Sequence, residues 1–187
     1  SNLEVGLKEW SPQKISIKTN PEAIIWAVDG VDDNSVAFAA RLMEKGVEVR
    51  IIDKEALLSK QSLSRGSIAV LAMDNPEYED LSETVNSIAS DLDISVLSIE
   101  SGFGAEELPD WGGRHFRLLE RPQIAILSQS GFSSYDVGVS WWSLDHHLGI
   151  RHSQIDASLV NYADLRRYNT IILPCLLYTS DAAAEGL

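Results

Sequence analysis

Short apolar runs alternate along the chain with longer segments of helical periodicity. The clearest runs are Ala23–Val28, Ile68–Ala72 and Gln123–Ser128, and turn-forming residues lie next to each of them. A short, continuous apolar run is typical of a strand that is covered on both faces. Strands that alternate with helices in this way predict βαβ units with parallel pairing.

In the first half of the chain, the segments between the runs have the pattern of amphipathic helices. The first helix is predicted to end near Lys45, with Gly46 in the position of a C′ glycine. A second helix is predicted over Tyr78–Asp91, where apolar residues recur at helical spacing. Asp53–Ser64 is polar, and we expect it to be partly helical. Lys14–Lys18 alternates and is a candidate edge strand.

A second α/β unit follows the last of the apolar runs. Its helix is predicted over Tyr135–Leu148, with Ser133 or Ser134 as the N-cap residue. Two further strands are predicted over Arg151–Asp156 and Thr170–Pro174. This spacing is that of the opening of a flavodoxin-like sheet, and we expect the sheet to be truncated.

These patterns predict an α/β fold class, with two consecutive βαβ-type units and mainly parallel sheets. The expected parts are an N-terminal extension at residues 1–22, a first α/β unit at 23–100, a linker rich in Gly and Pro at 101–122, the start of a second unit at 123–174 and a tail at 175–187. The tail begins with the letters CLLYTSDAA, which resemble a translated sequencing adapter. We therefore expect it to be non-native, and a genuine Ala-rich tail is the alternative.

Composition narrows the range of partners. The chain has 187 residues, of which 28 are acidic and 15 are Lys or Arg, and its formal net charge is −13. Nucleic acids and anionic membranes both favour surfaces rich in Lys and Arg, so neither is expected as a partner. No apolar run approaches the length of a membrane span, so no membrane-spanning segment is expected. The single cysteine, Cys175, excludes an internal disulfide.

Residue types that carry catalysis are present, but their spacing matches no catalytic arrangement. No Gly-rich phosphate loop occurs, and the first strand-to-helix loop carries Asp29, Asp32 and Asp33, whose charge repels phosphate. None of the four histidines is followed three residues later by the Glu of a zinc peptidase. His146 and His147 are neighbours on a helix and point in different directions. We therefore predict no catalytic residue and no metal ligand in this chain.

The candidate binding site is the polar loop after the run Gln123–Ser128. Ligands of open α/β sheets bind at the carboxyl ends of strands, which is where this loop is predicted to lie. Backbone N–H groups and hydroxyls there can bind a carboxylate or a small anion. We predict Ser130, Gly131, Ser133 and Ser134 as the ligand-binding residues. The alternative is a capped turn that binds nothing.

Two adjacent tryptophans, Trp141 and Trp142, fall on the second unit's predicted helix. Adjacent helical residues point in different directions, so we expect one ring to pack inward and the other to cover a domain contact. A platform for a carbohydrate or a peptide is the alternative.

Several short motifs together resemble the C-terminal region of large bacterial zinc carboxypeptidase-like proteins. They are WGGRHFRLL at Trp111–Leu119, PQIAIL at Pro122–Leu127, SSY at Ser133–Tyr135, ADLRRYN at Ala163–Asn169 and IILP at Ile171–Pro174. Such proteins are similar to carboxypeptidase A in their N-terminal catalytic domain. The α/β segments that follow it include one that resembles a class I glutamine-amidotransferase-like domain. The resemblance covers roughly residues 23–174 of this chain.

The resemblance implies a function for a larger parent protein. That parent is expected to be a secreted zinc metallocarboxypeptidase, periplasmic or extracellular, with its zinc in an upstream domain. This chain is then a non-catalytic accessory fragment without a cofactor of its own, and its partner is the upstream catalytic domain of the same parent chain. Two alternatives stay open: a stand-alone α/β module that binds a small ligand, and a truncated amidotransferase-like hydrolase.

Overall fold

The computed structural model describes residues 22–104 and 108–176. The predicted edge strand Lys14–Lys18 lies outside these residues, as does the predicted tail beyond Leu176. The helices described are α1 Ser35–Glu44, α2 Leu81–Asp91 and α3 Ser134–Trp142, and α3 continues into a π-helical segment, Ser143–Leu148. The strands described are β1 Ile25–Val28, β2 Arg50–Ile52, β3 Ala56–Leu58, β4 Gln61–Leu63, β5 Ile68–Leu71, β6 Leu97–Ile99, β7 Phe116–Leu118, β8 Ile124–Ser128, β9 His152–Asp156 and β10 Thr170–Ile172.

The first part of the chain forms a five-stranded sheet in the order β6-β1-β5-β2-β7. Every pair of neighbours in this sheet is antiparallel. Strands β1 and β2 are parallel to each other, because each of them pairs antiparallel with β5, which lies between them. The elements β1-α1-β2-β5-α2-β6 thus have the β-α-β-β-α-β order of a split βαβ arrangement.

The prediction of mainly parallel sheets is therefore wrong for this chain. The apolar runs indicate burial on both faces, and they carry no information about strand direction. In β1, Trp26 and Val28 pack in the cluster that contains α1 and α2 residues. Ile25 and Ala27 alternate with them and pack in the cluster on the other face. That second face is covered by the β3–β4 hairpin and by Trp111, and an antiparallel sheet covered in this way resembles a parallel one in sequence.

The segment Asp53–Ser64, expected to be partly helical, forms the antiparallel hairpin of β3 and β4. Its two turn residues, Ser59 and Lys60, have φ of 45° and 68°. Positive φ at both central residues is the requirement of a type I′ hairpin turn, which usually selects Asn-Gly. A Ser-Lys pair gives no such signal, so the hairpin was not predicted from the residues.

Part of the range expected as a linker belongs to the first sheet. Phe116–Leu118 is β7, and Phe116 lies opposite Ile52 of β2. The ring of Trp111 packs against that of Phe116, with centroids 5.0 Å apart. The division of the chain into domains stays a prediction, but the first sheet extends to this segment.

The second sheet has three strands in the order β10-β8-β9, and both pairs are parallel. Helix α3 and its π-helical extension cover one face of it. Ala40 of α1 packs there with Ile124, Ile126 and Leu144. Helix α1 thus contributes to two cores, because Phe38 on the same helix packs under the first sheet. This shared helix fixes the position of the second sheet relative to the first.

Asn75 links two backbone segments in the first unit. It is buried, its Oδ1 accepts a bond from Glu48 N–H at 2.7 Å, and its Nδ2 donates to the carbonyl oxygens of Glu48 and Leu71 at 3.1 and 3.0 Å. We expect Asn75→Ala to lower the free energy of unfolding by about 2 kcal/mol, because buried polar groups are left unpaired. Urea denaturation measures the loss. Asn86→Ala, on a less buried face of α2, is the control, and equal unfolding midpoints for the two variants would contradict the prediction.

Candidate functional site

The loop between β8 and α3 lies at the carboxyl edge of the parallel sheet. Gln129, Ser130 and Gly131 have φ of 58°, 34° and 94°, so three consecutive residues are in the left-handed region. The N–H of Phe132 donates to the carbonyl of Gln129 at 2.9 Å and closes the turn. The polar loop therefore lies where the sequence predicts it, between a buried strand and a helix.

Ser133 is the N-cap residue of α3, one of the two that the sequence predicted. Its hydroxyl accepts a bond from the Asp136 N–H at 3.3 Å, and its own N–H donates to the Cys175 carbonyl at 2.8 Å. Ser134 is exposed in the first turn of α3. The cap explains why the helix begins here. The Ser133 hydroxyl therefore already has a hydrogen-bond partner within the protein.

Ser130 is engaged by a neighbouring carboxylate. Its hydroxyl donates to Asp156 Oδ1 at 2.9 Å, and the N–H and hydroxyl of Ser158 donate to the same oxygen. These bonds, the one from the Ser158 N–H foremost, lower the pKa of Asp156 below its ordinary value. Asp156 is thus ionised at neutral pH and repels an incoming anion, as does Asp136 in the first turn of α3.

Three of the four predicted residues, Ser130, Gly131 and Ser133, lie in the loop, and Ser134 is the first residue of α3. The Ser133 hydroxyl is engaged in the helix cap, and the Ser130 hydroxyl is engaged by the carboxylate of Asp156. This geometry favours the capped-turn alternative over an anion site. The assignment of these residues to a ligand stays a prediction.

One side of α3 presents apolar side chains to solvent. Tyr135, Val139 and Trp142 are 78%, 48% and 56% exposed. Their spacing places them on one face of the helix, and Gly138 between them leaves a shallow apolar depression. We refer to Tyr135, Gly138, Val139 and Trp142 as the α3 face. Contiguous exposed apolar patches of this kind are typical of interaction sites.

The expectation that one of the adjacent tryptophans packs inward is wrong. Trp141 is 38% exposed and Trp142 is 56% exposed. Both rings instead lie against His146, each with a centroid distance of 5.8 Å. Leu144 and Ala40, and neither indole ring, pack in the core cluster next to the sheet.

A cleft of about 500 Å³ lies at the opposite, amino edge of the second sheet. Arg121, Arg151 and Arg167 line it, together with Glu44 of α1. Largely buried Glu44 accepts bonds through Oε2 from Arg151 Nε at 2.7 Å and from a terminal nitrogen of Arg121 at 3.3 Å. We refer to these four side chains as the arginine cleft.

Sequence reasoning did not identify the arginine cleft, although a signal is present. Arg121, Arg151 and Arg167 each lie one to three residues before the first residue of a strand, β8, β9 and β10 respectively. The amino ends of parallel strands meet at one edge of a sheet, so residues that precede the strands collect there. Three arginines in that position predict a positive edge once the pairing is known.

In the part of the chain that the structure describes, no three His, Cys, Asp or Glu side chains are grouped so that they could hold a metal ion. His115 Nδ1 lies 2.7 Å from Asp53 Oδ1, and His146 contacts two indole rings.

Comparisons with protein-family models, with curated proteins and with solved structures found no match. No helix within residues 22–104 and 108–176 is both long enough and apolar enough to cross a bilayer. The β8–α3 loop, the α3 face and the arginine cleft are therefore the features of this structure from which a function can be argued.

Proposed function

We propose that this chain is a non-catalytic accessory module of a zinc carboxypeptidase-like protein, and that it docks on the upstream catalytic domain of the same parent through the α3 face. The motif series from Trp111 to Pro174 supports the family. The observation that carries the docking role is the exposed apolar face of α3, where Tyr135 and Trp142 are more than half exposed.

Aromatic residues dominate the binding energy of most protein interfaces. Tyr and Trp are enriched among the side chains whose truncation weakens binding, because each buries a large rigid surface. Tyr135 and Trp142 lie at the two ends of the α3 face, and Gly138 allows a partner to approach the helix backbone between them. The face therefore has the composition of a docking surface.

The small size of the face favours a partner on the same chain. A stable complex between separate proteins usually buries about 800 Å² on each partner, which is more than one side of a nine-residue helix provides. Two domains on one chain meet at an effective concentration on the order of millimolar, so a smaller surface is sufficient. An upstream domain of the parent meets that condition.

The first test is the reading frame upstream of Ser1. We expect it to encode a His-x-x-Glu motif followed by a later His. In such peptidases the two histidines and the glutamate carboxylate bind the zinc ion. An upstream frame without this pattern contradicts the assignment to the family. The 187-residue chain alone, supplied with zinc, is expected not to remove residues from the C-terminus of peptide substrates. Cleavage by the chain alone overturns the non-catalytic role.

The second test is amide hydrogen exchange in α3, measured in the complete parent and in the 187-residue chain. Docking excludes solvent and stabilises the helix, so exchange of the α3 amides is expected to be about tenfold slower in the parent. The double variant Tyr135→Ser and Trp142→Ser, made in the parent, is expected to remove this difference.

The control for the second test is the double variant Val31→Ser and Met73→Ser. Both side chains are exposed and apolar, and both lie outside α3. This variant is expected to keep the slow exchange of α3 in the parent. Equal exchange of α3 in the parent and in the isolated chain would show that the face is free, and it would rule out docking by this surface.

A further inference from the structure

We infer that the arginine cleft is a binding site for a small anion that carries phosphate groups. The site is at the amino edge of the second sheet, away from both the α3 face and the β8–α3 loop. It is formed by the segments that lead into β8, β9 and β10, and Glu44 of α1 lies against it. This inference does not rest on the proposed accessory role.

The charge of the cleft is opposite to that of the protein. The chain as a whole carries a net charge of −13. Among the residues that line the cleft, Arg121, Arg151 and Arg167 are positive, and Glu44 is the one carboxylate. Glu44 neutralises one positive charge, so two remain in excess. A concave site with an excess of one sign of charge concentrates ligands of the opposite sign.

Most of the hydrogen-bond donors in the cleft are available to a ligand. An arginine carries five N–H donors. Arg151 and Arg121 each direct one nitrogen at Oε2 of Glu44. Arg167 is exposed, and its side chain makes no hydrogen bond or close ion pair within the described ranges, but its charge interacts with that of Asp164. Arg167 is therefore the arginine of this cleft that can bind a ligand without losing a side-chain hydrogen bond.

Glu44 acts as a positioning residue in this site. Its carboxylate is largely buried and binds two guanidinium groups that come from different segments of the chain. Ion pairs of this kind limit the movement of long side chains, so that less entropy is lost when a ligand binds. Arg121 and Arg151 are thus held near one another before any ligand arrives.

Phosphate is the anion that fits this arrangement best. The planar fork of a guanidinium group matches the oxygen geometry of phosphate, and several arginines can bind one phosphate from different sides. The volume of about 500 Å³ falls within the range of small-molecule sites and exceeds what a bare ion needs. Tyr168 and His152 also line the cleft.

Calorimetric titration of the 187-residue chain with pyrophosphate tests the inference. Ionic strength is held constant with chloride, because screening changes the apparent affinity of a charged site. We expect saturable binding at one site, with a dissociation constant below about 1 mM. Arg167→Gln is expected to weaken it about tenfold by removing a charge-assisted contact. Arg121→Gln is expected to weaken it in the same direction.

Arg166→Gln is the matched control. Arg166 is adjacent to Arg167 in sequence, is highly exposed and pairs with Asp164 at 2.8 Å, and it does not line the cleft. This variant changes the net charge by the same amount and is expected to bind pyrophosphate like the wild type. Equal weakening by Arg166→Gln and Arg167→Gln would show a general charge effect and overturn the site.

Two further results would also overturn it. The first is the absence of saturable pyrophosphate binding to the wild-type chain. The second is tighter binding of citrate than of pyrophosphate at the same ionic strength, which would assign the cleft to polycarboxylates. Saturable binding of pyrophosphate that is stronger than that of citrate, and that depends on Arg167, supports the inference.

Discussion

Replacing Gly30 with alanine is expected to lower the free energy of unfolding by about 3 kcal/mol or more. Gly30 follows β1, and its backbone lies directly against the backbone of Gly66 and Ser67, which precede β5. A Cβ added at Gly30 would lie 2.5 Å from the Ser67 nitrogen and 2.7 Å from the Gly66 carbonyl oxygen. Real Cβ atoms do not approach backbone atoms this closely, so one of the two segments has to move.

Neither segment can move without breaking other bonds. The N–H of Gly66 donates to the Ile52 carbonyl at 2.7 Å, and the N–H of Ile52 donates to the Ser67 carbonyl at 3.0 Å. The N–H of Gly30 donates to the Ser67 hydroxyl at 3.1 Å, and Ser67 is fully buried. Displacement at this point therefore disturbs β1, β2 and β5 together, which are the three central strands of the first sheet.

Gly112→Ala is the control for this prediction. A Cβ at Gly112 meets no atom within 4 Å, and its backbone is not in the left-handed region. Chemical denaturation of the two variants under identical conditions is expected to give a much lower midpoint for Gly30→Ala and an unchanged midpoint for Gly112→Ala. A Gly30→Ala variant as stable as the wild type would show that the two backbones are not in close contact.

The positions of many elements could be predicted from the sequence, because their signals are local. The run Ala23–Val28 contains β1, Gly46 has a φ of 85° just after α1, and Ser133 caps α3. Each of these features depends on residues within one or two turns of each other. The structure confirms them with small shifts of the element ends.

The pairing of the strands could not be predicted in the same way. β1 pairs with β5 and β6, which are distant in sequence, and its apolar pattern is the same for a parallel and an antiparallel neighbour. The β3–β4 hairpin and Trp111 supply the cover of the second face, and neither has a sequence signal for that role. The burial of the strands could therefore be predicted from the sequence. Their direction depends on which distant segments pair with them and cover them.

The β8–α3 loop and the arginine cleft differ in the same way, because one is local in sequence and the other joins distant segments. The β8–α3 loop is contiguous, so the sequence located all four of its predicted residues in one place. The arginine cleft joins α1 with the segments before β8, β9 and β10, and it exists only when the parallel pairing and the contact with α1 are formed. Its signal in the sequence, three arginines that shortly precede strands, can be interpreted only when the pairing of those strands is known.

Phe116→Ala is expected to lower the free energy of unfolding by about 3–5 kcal/mol, the cost of emptying a large aromatic site in a core. Phe116 is buried between Trp111 and the β3–β4 side of the first sheet, and it lies opposite Ile52 in the pairing of β7 with β2. Its carbonyl accepts a bond at 2.9 Å from Arg50, whose guanidinium also binds Asp74 through two nitrogens at 2.7 and 3.0 Å.

This substitution also tests what the motif Trp111–Leu119 does. In this structure, Trp111 and Phe116 of the motif pack in the cluster on one face of the first sheet. Leu118→Ala is the control, since Leu118 is on the same strand but half exposed, and its loss is expected to change stability by only about 0.5 kcal/mol. Urea denaturation and hydrogen exchange of the β2 and β7 amides measure both variants. If the two variants lose equal stability, the motif does not stabilise the sheet through the packing of Phe116.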